Sequence, residues 1–250
     1  MSEGASGNRK LEVCFSPASY HLYKKEGSIV VIIDILRATS AICTAFEFGA
    51  EKIIPVATIA EATEYKKKGF MVGAERNGVQ LEGFDFGNSP FSYMNAKIKG
   101  KSLVLTTTNG TQAIEISKDA YKVVVGAFLN LTALCKWLLE QDKEVILLCS
   151  GWLDRFNIED AMFAGAVVNN LNKHPNFSEM GDAALASKYL FEMGYKNPDK
   201  FLHNSSHKER LVALGLKDDV KFCLSLDQTD IIPILRDGAL VKMYPSTSSG

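Results

Sequence analysis

The chain lacks the signatures that most readily assign a function. Its five cysteines (Cys14, Cys43, Cys135, Cys149 and Cys223) form an odd set without a Cys-x-x-Cys pair. Four of them sit among apolar neighbours, which fits buried thiols in a reducing compartment. No Gly-x-Gly-x-x-Gly follows a strand and no Gly-x-x-x-x-Gly-Lys-[Ser/Thr] occurs, so neither a dinucleotide-binding fold nor a P-loop kinase is supported. No apolar run approaches the roughly 20 residues that span a bilayer, and the polar amino end has no apolar signal core. Net charge is nearly absent as well: 28 Lys and Arg offset 29 Asp and Glu, leaving -1. No global field therefore draws the protein to nucleic acid or to an anionic membrane, and an anionic ligand has to be held by local groups. The expectation is a cytoplasmic protein with no nucleic-acid or membrane partner; homo-oligomerisation is left open.

What is present is apolar in short pieces. The 250 residues are 46% hydrophobic, enough for a substantial core. β-Branched runs bounded by turn residues occur at 29–33, 52–56, 103–107, 123–125 and 145–149 and read as buried strands. Helical patterns at 38–48, 59–68, 110–117, 131–140 and 158–171 alternate with them. This order predicts an α/β fold, a three-layer α/β/α arrangement around a largely parallel or mixed sheet. After Asn172 the texture changes, with helical stretches at 182–193 and 206–214 and short strands near 231–241. A single compact unit over 11–243 is expected, with a smaller lobe over 173–243 left open and disordered ends at 1–10 and 246–250.

In an open α/β sheet, ligands collect at the carboxyl ends of strands, where loops enter helix N-termini whose amides favour anions. Four loops qualify. The first, Asp34-Ile35-Leu36-Arg37-Ala38-Thr39-Ser40, puts a carboxylate at a strand tip and a guanidinium three residues later. Asp34 can bind a divalent cation or act as a nucleophile, and Arg37 offers a planar fork matched to phosphate or sulfonate. The bland alternative is an Asp34–Arg37 ion pair capping the helix. The second loop, Thr106-Thr107-Thr108-Asn109-Gly110-Thr111, is all donors around a glycine that lets backbone approach a ligand, more than a helix cap requires.

The third region, 73–78 and 83–90, supplies Glu75 and Asp85 to a hard-cation site and Arg76 to a second anionic group. Asn88 or Ser89 alternatively caps a helix whose first residue is Pro90. The fourth, 149–160, leaves a strand through Ser150-Gly151 and enters a helix at Asn157-Ile158-Glu159-Asp160, where Asn157 and Asp160 also read as a cap. Elsewhere the residues read as structural. His203 and His207 are four apart but flank a Ser206–Glu209 capping box, and Lys217-Asp218-Asp219 reads as a solvated turn.

Taken in order, these loops resemble those of the 2-phosphosulfolactate phosphatase family, Mg²⁺-dependent phosphatases related to coenzyme M biosynthesis. The resembling segments are 31–39, 83–90, 106–111 and Ser150-Gly151 to Glu159-Asp160, and the likeness runs from about Leu11 to Lys242. Ser150 stands in place of a smaller apolar residue, Asn77 where glycine is common and Phe86 where leucine is usual.

The resemblance implies hydrolysis of 2-phospho-3-sulfolactate to sulfolactate and phosphate. It places Asp34, Arg37, Thr108 and Asn109 in catalysis, and Thr39, Arg76, Asn88, Ser89, Thr107, Gly110, Thr111, Ser150 and Gly151 on the substrate. Magnesium falls to Asp34 with help among Glu75, Asp85, Glu159 and Asp160. Attack by Asp34 and attack by a metal-bound water both remain open. The Asp-x-Asp-x-Thr pattern of haloacid dehalogenases fails at Leu36 and Ala38, so its mechanism does not carry over. The rival class is a non-catalytic protein that binds a phosphorylated or sulfonated acid in the same loops.

Overall fold

The computed structural model describes residues 9–245. Its strands are β1 (Lys10–Cys14), β2 (Ile29–Ile33), β3 (Lys52–Pro55), β4 (Met71–Arg76), β5 (Val79–Gln80), β6 (Ser102–Thr106), β7 (Lys122–Gly126), β8 (Val145–Cys149), β9 (Glu179–Met180), β10 (Ile232–Arg236) and β11 (Ala239–Met243). The helices are α1 (Ala38–Glu47), α2 (Ile59–Lys67), α3 (Pro90–Tyr93), α4 (Gly110–Ser117), α5 (Leu131–Glu140), α6 (Ile158–Leu171), α7 (Asp182–Gly194), α8 (Pro198–Phe201), α9 (Ser206–Ala213) and α10 (Lys217–Cys223). The protein is an α/β fold in which one mixed sheet is flanked by helices.

The sheet runs β5-β4-β6-β3-β11-β10-β7-β2-β8-β1-β9. Two parallel blocks stand in it, β4-β6-β3 on one side and β7-β2-β8-β1 on the other. β2 lies in the middle of the second block and all five of its residues are buried, as expected of a Val/Ile run covered on both faces. Between the blocks lies the C-terminal hairpin, β10 antiparallel to β7 and β11 antiparallel to β3. The segment after Asn172 carries edge strand β9 and helices α7–α10 and ends in that hairpin.

Each antiparallel step reverses the strand sense, so the two blocks point in opposite directions. Five steps separate β6 from β2. At about 20–25° of twist per step, the directions rotate by roughly 100–125° across the hairpin, enough to turn the carboxyl edges of the blocks toward a common space. One large core fills the molecule, and a small satellite of Val56, Ala62, Val72 and Val104 lies under α2.

Several local expectations change. β4 begins at Met71 and runs through Glu75 as a strand, where its glycine and charges had read as a loop. A Cβ at Gly73 would lie 2.4 Å from the Tyr93 hydroxyl, so close packing demands the glycine there. α9 is capped by Ser205, whose side chain accepts from Lys208 N, and no Ser206–Glu209 box forms. Lys217 to Asp219 open α10, with Asp219 buried instead of solvated. The ends expected to be disordered lie outside the described residues except for Arg9 and Lys10; Arg9 is buried over the Phe177 ring and Lys10 starts β1.

Candidate active site

The tips of β2, β4, β6 and β8 and one face of α9 enclose a cleft of about 340 Å³, a volume that includes its open mouth. Asp34 and Glu75 line it from two different blocks of the sheet, Thr108 and Asn109 from the turn into α4, Trp152 from the loop after β8, and His207 and Arg210 from α9.

Asp34 follows the last residue of β2 and is almost fully buried. Thr39 fixes its backbone from both sides: the Asp34 N–H donates to the hydroxyl at 3.3 Å, and that hydroxyl donates to the Asp34 carbonyl at 2.9 Å. Oδ1 accepts from Ala38 N–H at 3.4 Å. Oδ2 faces the start of α4, 3.0 Å from where a Cβ at Gly110 would be. The Asp34 loop and the Thr-Asn-Gly turn thus meet, although they come from opposed parallel blocks. Gly110→Ala would push a methyl group against Oδ2. We expect kcat/KM to fall about tenfold with little change in melting temperature, because the neighbours have to give by only a few tenths of an ångström whereas a displacement of about 1 Å at a positioned group costs about a hundredfold. Steady-state kinetics and thermal melts of the variant check it.

Burial raises the Asp34 carboxyl to about 6, with the charges of Glu75 and Glu159 adding to the shift, while His207 and the Ala38 N–H oppose it. Asp160 is pushed well above the ordinary carboxylate range by burial, then by the charges of Asp34 and Glu159. Asp160 does not line the cleft. Its oxygens accept from Ile35 N–H at 2.8 Å and Gly151 N–H at 3.2 Å, tying the β2 loop to the β8 loop, and its own N–H is capped by Asn157 at 3.2 Å.

The Thr-rich turn is self-braced. Thr111 N–H donates to Thr107 Oγ1 at 3.2 Å, and the Thr111 hydroxyl donates to the Thr107 carbonyl at 3.1 Å. Asn109 Oδ1 accepts from Leu153 N–H at 3.4 Å. With its neighbours so engaged, buried Thr108 Oγ1 has no hydrogen-bond partner among the described residues; the same holds for Asn88 Oδ1, Ser150 Oγ and Arg210 Nε. Unpaired buried polar atoms are costly, and three of these four belong to residues lining one cleft, so they mark where a polar ligand completes the structure. Gly151 has φ +60° and lies so close to Arg155 that a Cβ would be 2.2 Å from its carbonyl oxygen, which fixes glycine after Ser150. Asn77 adopts φ +57°, a left-handed conformation that asparagine tolerates better than most residues, which is how it stands where glycine is common.

Arg37 lines the cleft without pairing to Asp34, so the capping ion pair weighed for the first loop does not form. Nη1 instead meets Asp219 Oδ1 at 2.6 Å and Nη2 donates to the Gly78 carbonyl at 2.7 Å. The preceding Leu36–Arg37 peptide is cis. Arg76 turns to the Glu75 carbonyl at 2.6 Å and Thr106 Oγ1 at 3.2 Å, outside the cleft. Ser89 occupies the N-cap position of α3 without a side-chain cap bond and lines an adjoining groove with Arg37, Gly78 and Asn88. Asp85 stands apart, its carboxylate on Lys66 at 2.7 Å and Val72 N–H at 2.8 Å.

Sequence reasoning passed over α9. His207 Nδ1 lies 2.7 Å from Glu159 Oε1, and Glu159 Oε2 accepts from Ser205 Oγ at 3.1 Å. Arg210 stacks its guanidinium 4.0 Å over the Trp152 ring. The spacing His207, Arg210, Leu211 already places all three on one helical face, which was the available signal.

Among the described residues no three acidic, histidine or cysteine side chains form a cage for a metal ion. Magnesium needs no such cage, since it is usually held by one or two carboxylates together with water and substrate phosphate. Asp34, Glu75 and the orphaned carbonyl oxygen of Asn88 supply a donor set of that kind around the cleft.

A family model described as 2-phosphosulpholactate phosphatase matches residues 14–238. A probable 2-phosphosulfolactate phosphatase of Thermotoga maritima is 41% identical over 216 residues, covering 86% of this chain and 92% of its own. Proteins with the same description from Caldanaerobacter subterraneus and Clostridium novyi are 38% and 37% identical, covering 84% and 90% of this chain and 88% and 96% of theirs. Matched along almost its whole described length by the family model and by relatives of its own size, the chain belongs to the 2-phosphosulpholactate phosphatase family.

Proposed function

We propose that the protein is a magnesium-dependent phosphatase that hydrolyses 2-phospho-3-sulfolactate to 3-sulfolactate and phosphate. The observation that carries this reading is the apposition of the buried Asp34 carboxylate and the amino end of α4, with Gly110 leaving room between them. A phosphate monoester repels nucleophiles through its own charge, so catalysis is mainly positioning and charge neutralisation.

Asp34, Glu75 and Asn88 Oδ1 would hold magnesium, which when bound neutralises phosphoryl oxygens and draws attacking and leaving groups into line. The amides at the start of α4 and the unpaired Thr108 hydroxyl receive phosphoryl oxygens. Asn109 holds the β8 loop against this turn, and Thr39, Thr107 and Thr111 fix the backbone on either side. Arg37 and Arg210 supply positive charge for the sulfonate and carboxylate; Arg210, resting on Trp152 with Nε unpaired, has a donor to give. Ser150 and Gly151 lead from β8 to Trp152, which lines the cleft, and the substrate is small and phosphorylated. With five free, buried cysteines and no helix among the described residues long and apolar enough to cross a membrane, the chain suits the cytoplasm, where the reaction belongs to coenzyme M biosynthesis.

Phosphate release from 2-phosphosulfolactate is expected with magnesium and is expected to stop with a chelator and to return on adding the metal. Saturable binding without phosphate release would instead identify a binding protein. The ionised form of Asp34 is the one that binds metal, so the affinity of the metal-free protein for magnesium should fall as pH drops through about 6. A pH profile flat between 5 and 8 would remove Asp34 from that role.

A further inference from the structure

His207 lines the cleft from α9 and is paired with Glu159 behind it. Glu159 is fully buried in the first turn of α6, with Oε2 fixed by the Ser205 hydroxyl and Oε1 by His207 Nδ1 at 2.7 Å. Ser205 is also the N-cap of α9, so one hydroxyl sets both the start of that helix and the carboxylate that orients its histidine. With Nδ1 committed to Glu159, Nε2 is the ring nitrogen left to the cleft that His207 lines together with Asp34, Glu75 and Arg210. A carboxylate on one imidazole nitrogen fixes the ring orientation and leaves the other nitrogen as the one that can pass a proton to a group in the cleft.

We propose that His207 is the general acid that protonates the leaving ester oxygen, with Glu159 as its positioning residue. This rests on the phosphatase reading above. In the step, the bond between phosphorus and the carbon-bound oxygen breaks, its electron pair stays on oxygen, and the Nε2 proton moves there to give the free hydroxyl of the product. The neutral imidazole regains its proton from the water consumed in hydrolysis, so phosphate leaves as the hydrogenphosphate dianion and the protein returns to its starting state. The role is independent of whether the phosphoryl group passes first to Asp34 or directly to water, since the same leaving oxygen needs the same proton. An alkoxide of a hydroxy acid is a poor leaving group, which is why the donor is needed.

The test replaces that oxygen. A thiol ionises near 8–9, so the analogue of 2-phosphosulfolactate with sulfur in the bridging position expels a thiolate that needs no proton. In the full-length protein with magnesium, His207→Asn is expected to lower kcat/KM for the oxygen ester by about 10²–10⁴-fold, the usual worth of general acid catalysis. It is expected to lower kcat/KM for the sulfur analogue less than about tenfold. Glu159→Gln should show the same selectivity with a smaller loss, and turnover of the sulfur analogue reports that each variant is folded. Equal losses on both esters would overturn the proposal, since a structural defect or a lost binding contact does not distinguish oxygen from sulfur. Failure of the wild type to release phosphate from either ester would overturn the phosphatase reading and this role together.

Discussion

Replacing Asp34 with asparagine is expected to lower turnover by at least about a thousandfold and at the same time make the metal-free protein more stable at neutral pH. The loss follows from the position of the carboxylate at the tip of β2, where Oδ1 accepts from Ala38 N–H and Oδ2 faces the start of α4. The gain follows from the cost of ionising it there. Its folded value of about 6 lies above the ordinary carboxylate value near 4, so the group binds its proton more tightly in the folded state. Its contribution is fully favourable below about pH 4 and is lost as pH rises through about 6. Above that, the ionised carboxylate reduces stability by on the order of 2–3 kcal/mol, and the neutral amide avoids this. Denaturant unfolding at pH 8 should therefore show the variant above the wild type, the difference shrinking toward pH 4. Near-normal turnover would remove Asp34 from catalysis, and equal stability at pH 8 would mean that the carboxylate is not desolvated.

The sequence made that strand tip legible because the signals there are local. A five-residue Ile/Val run with no polar interruption is too short and too β-branched for a helix and fits a strand buried on both faces, which puts an Asp directly after it at the sheet's carboxyl edge. The same local logic set α1, α4, α5 and α6 to within a residue and found Asn157 as a cap. What escaped is non-local. Nothing near Arg37 signals Asp219, which arrives 182 residues later, and nothing near Glu159 signals His207. The Lys217-Asp218-Asp219 run looks solvated because two of its three charges are; the third is turned inward by α10 packing against α9. β4 was hidden for a different reason. Its glycine and charges read as a loop, yet the strand needs a residue without a side chain at Gly73 to admit Tyr93 and Leu105. The position of the C-terminal hairpin between two opposed parallel blocks, which brings the cleft's walls together, has no counterpart in any window of sequence.

The Arg37–Asp219 pair sets the second large effect. Both side chains are under one tenth exposed, at 3% and 9%, and Nη1 to Oδ1 is 2.6 Å. Removing one partner of such a pair leaves a buried, uncompensated charge and typically destabilises by about 3–5 kcal/mol, whereas replacing both with apolar groups of similar volume is often neutral or stabilising. Arg37→Met is therefore expected to lose about 3–5 kcal/mol by denaturant unfolding, and Arg37→Met combined with Asp219→Leu to recover most of it. Activity should not follow stability. The guanidinium also lines the cleft, so the double variant, folded but lacking that charge, should keep kcat/KM depressed by about 10–100-fold, mainly through KM because the charge meets the anion alike before and during the reaction. Recovery of both stability and turnover would make Arg37 a strut alone, its task being to hold α10 and the Gly78 carbonyl against the β2 loop. A loss below about 1 kcal/mol in the single variant would mean that water reaches the pair, and would open the floor of the cleft to solvent on that side.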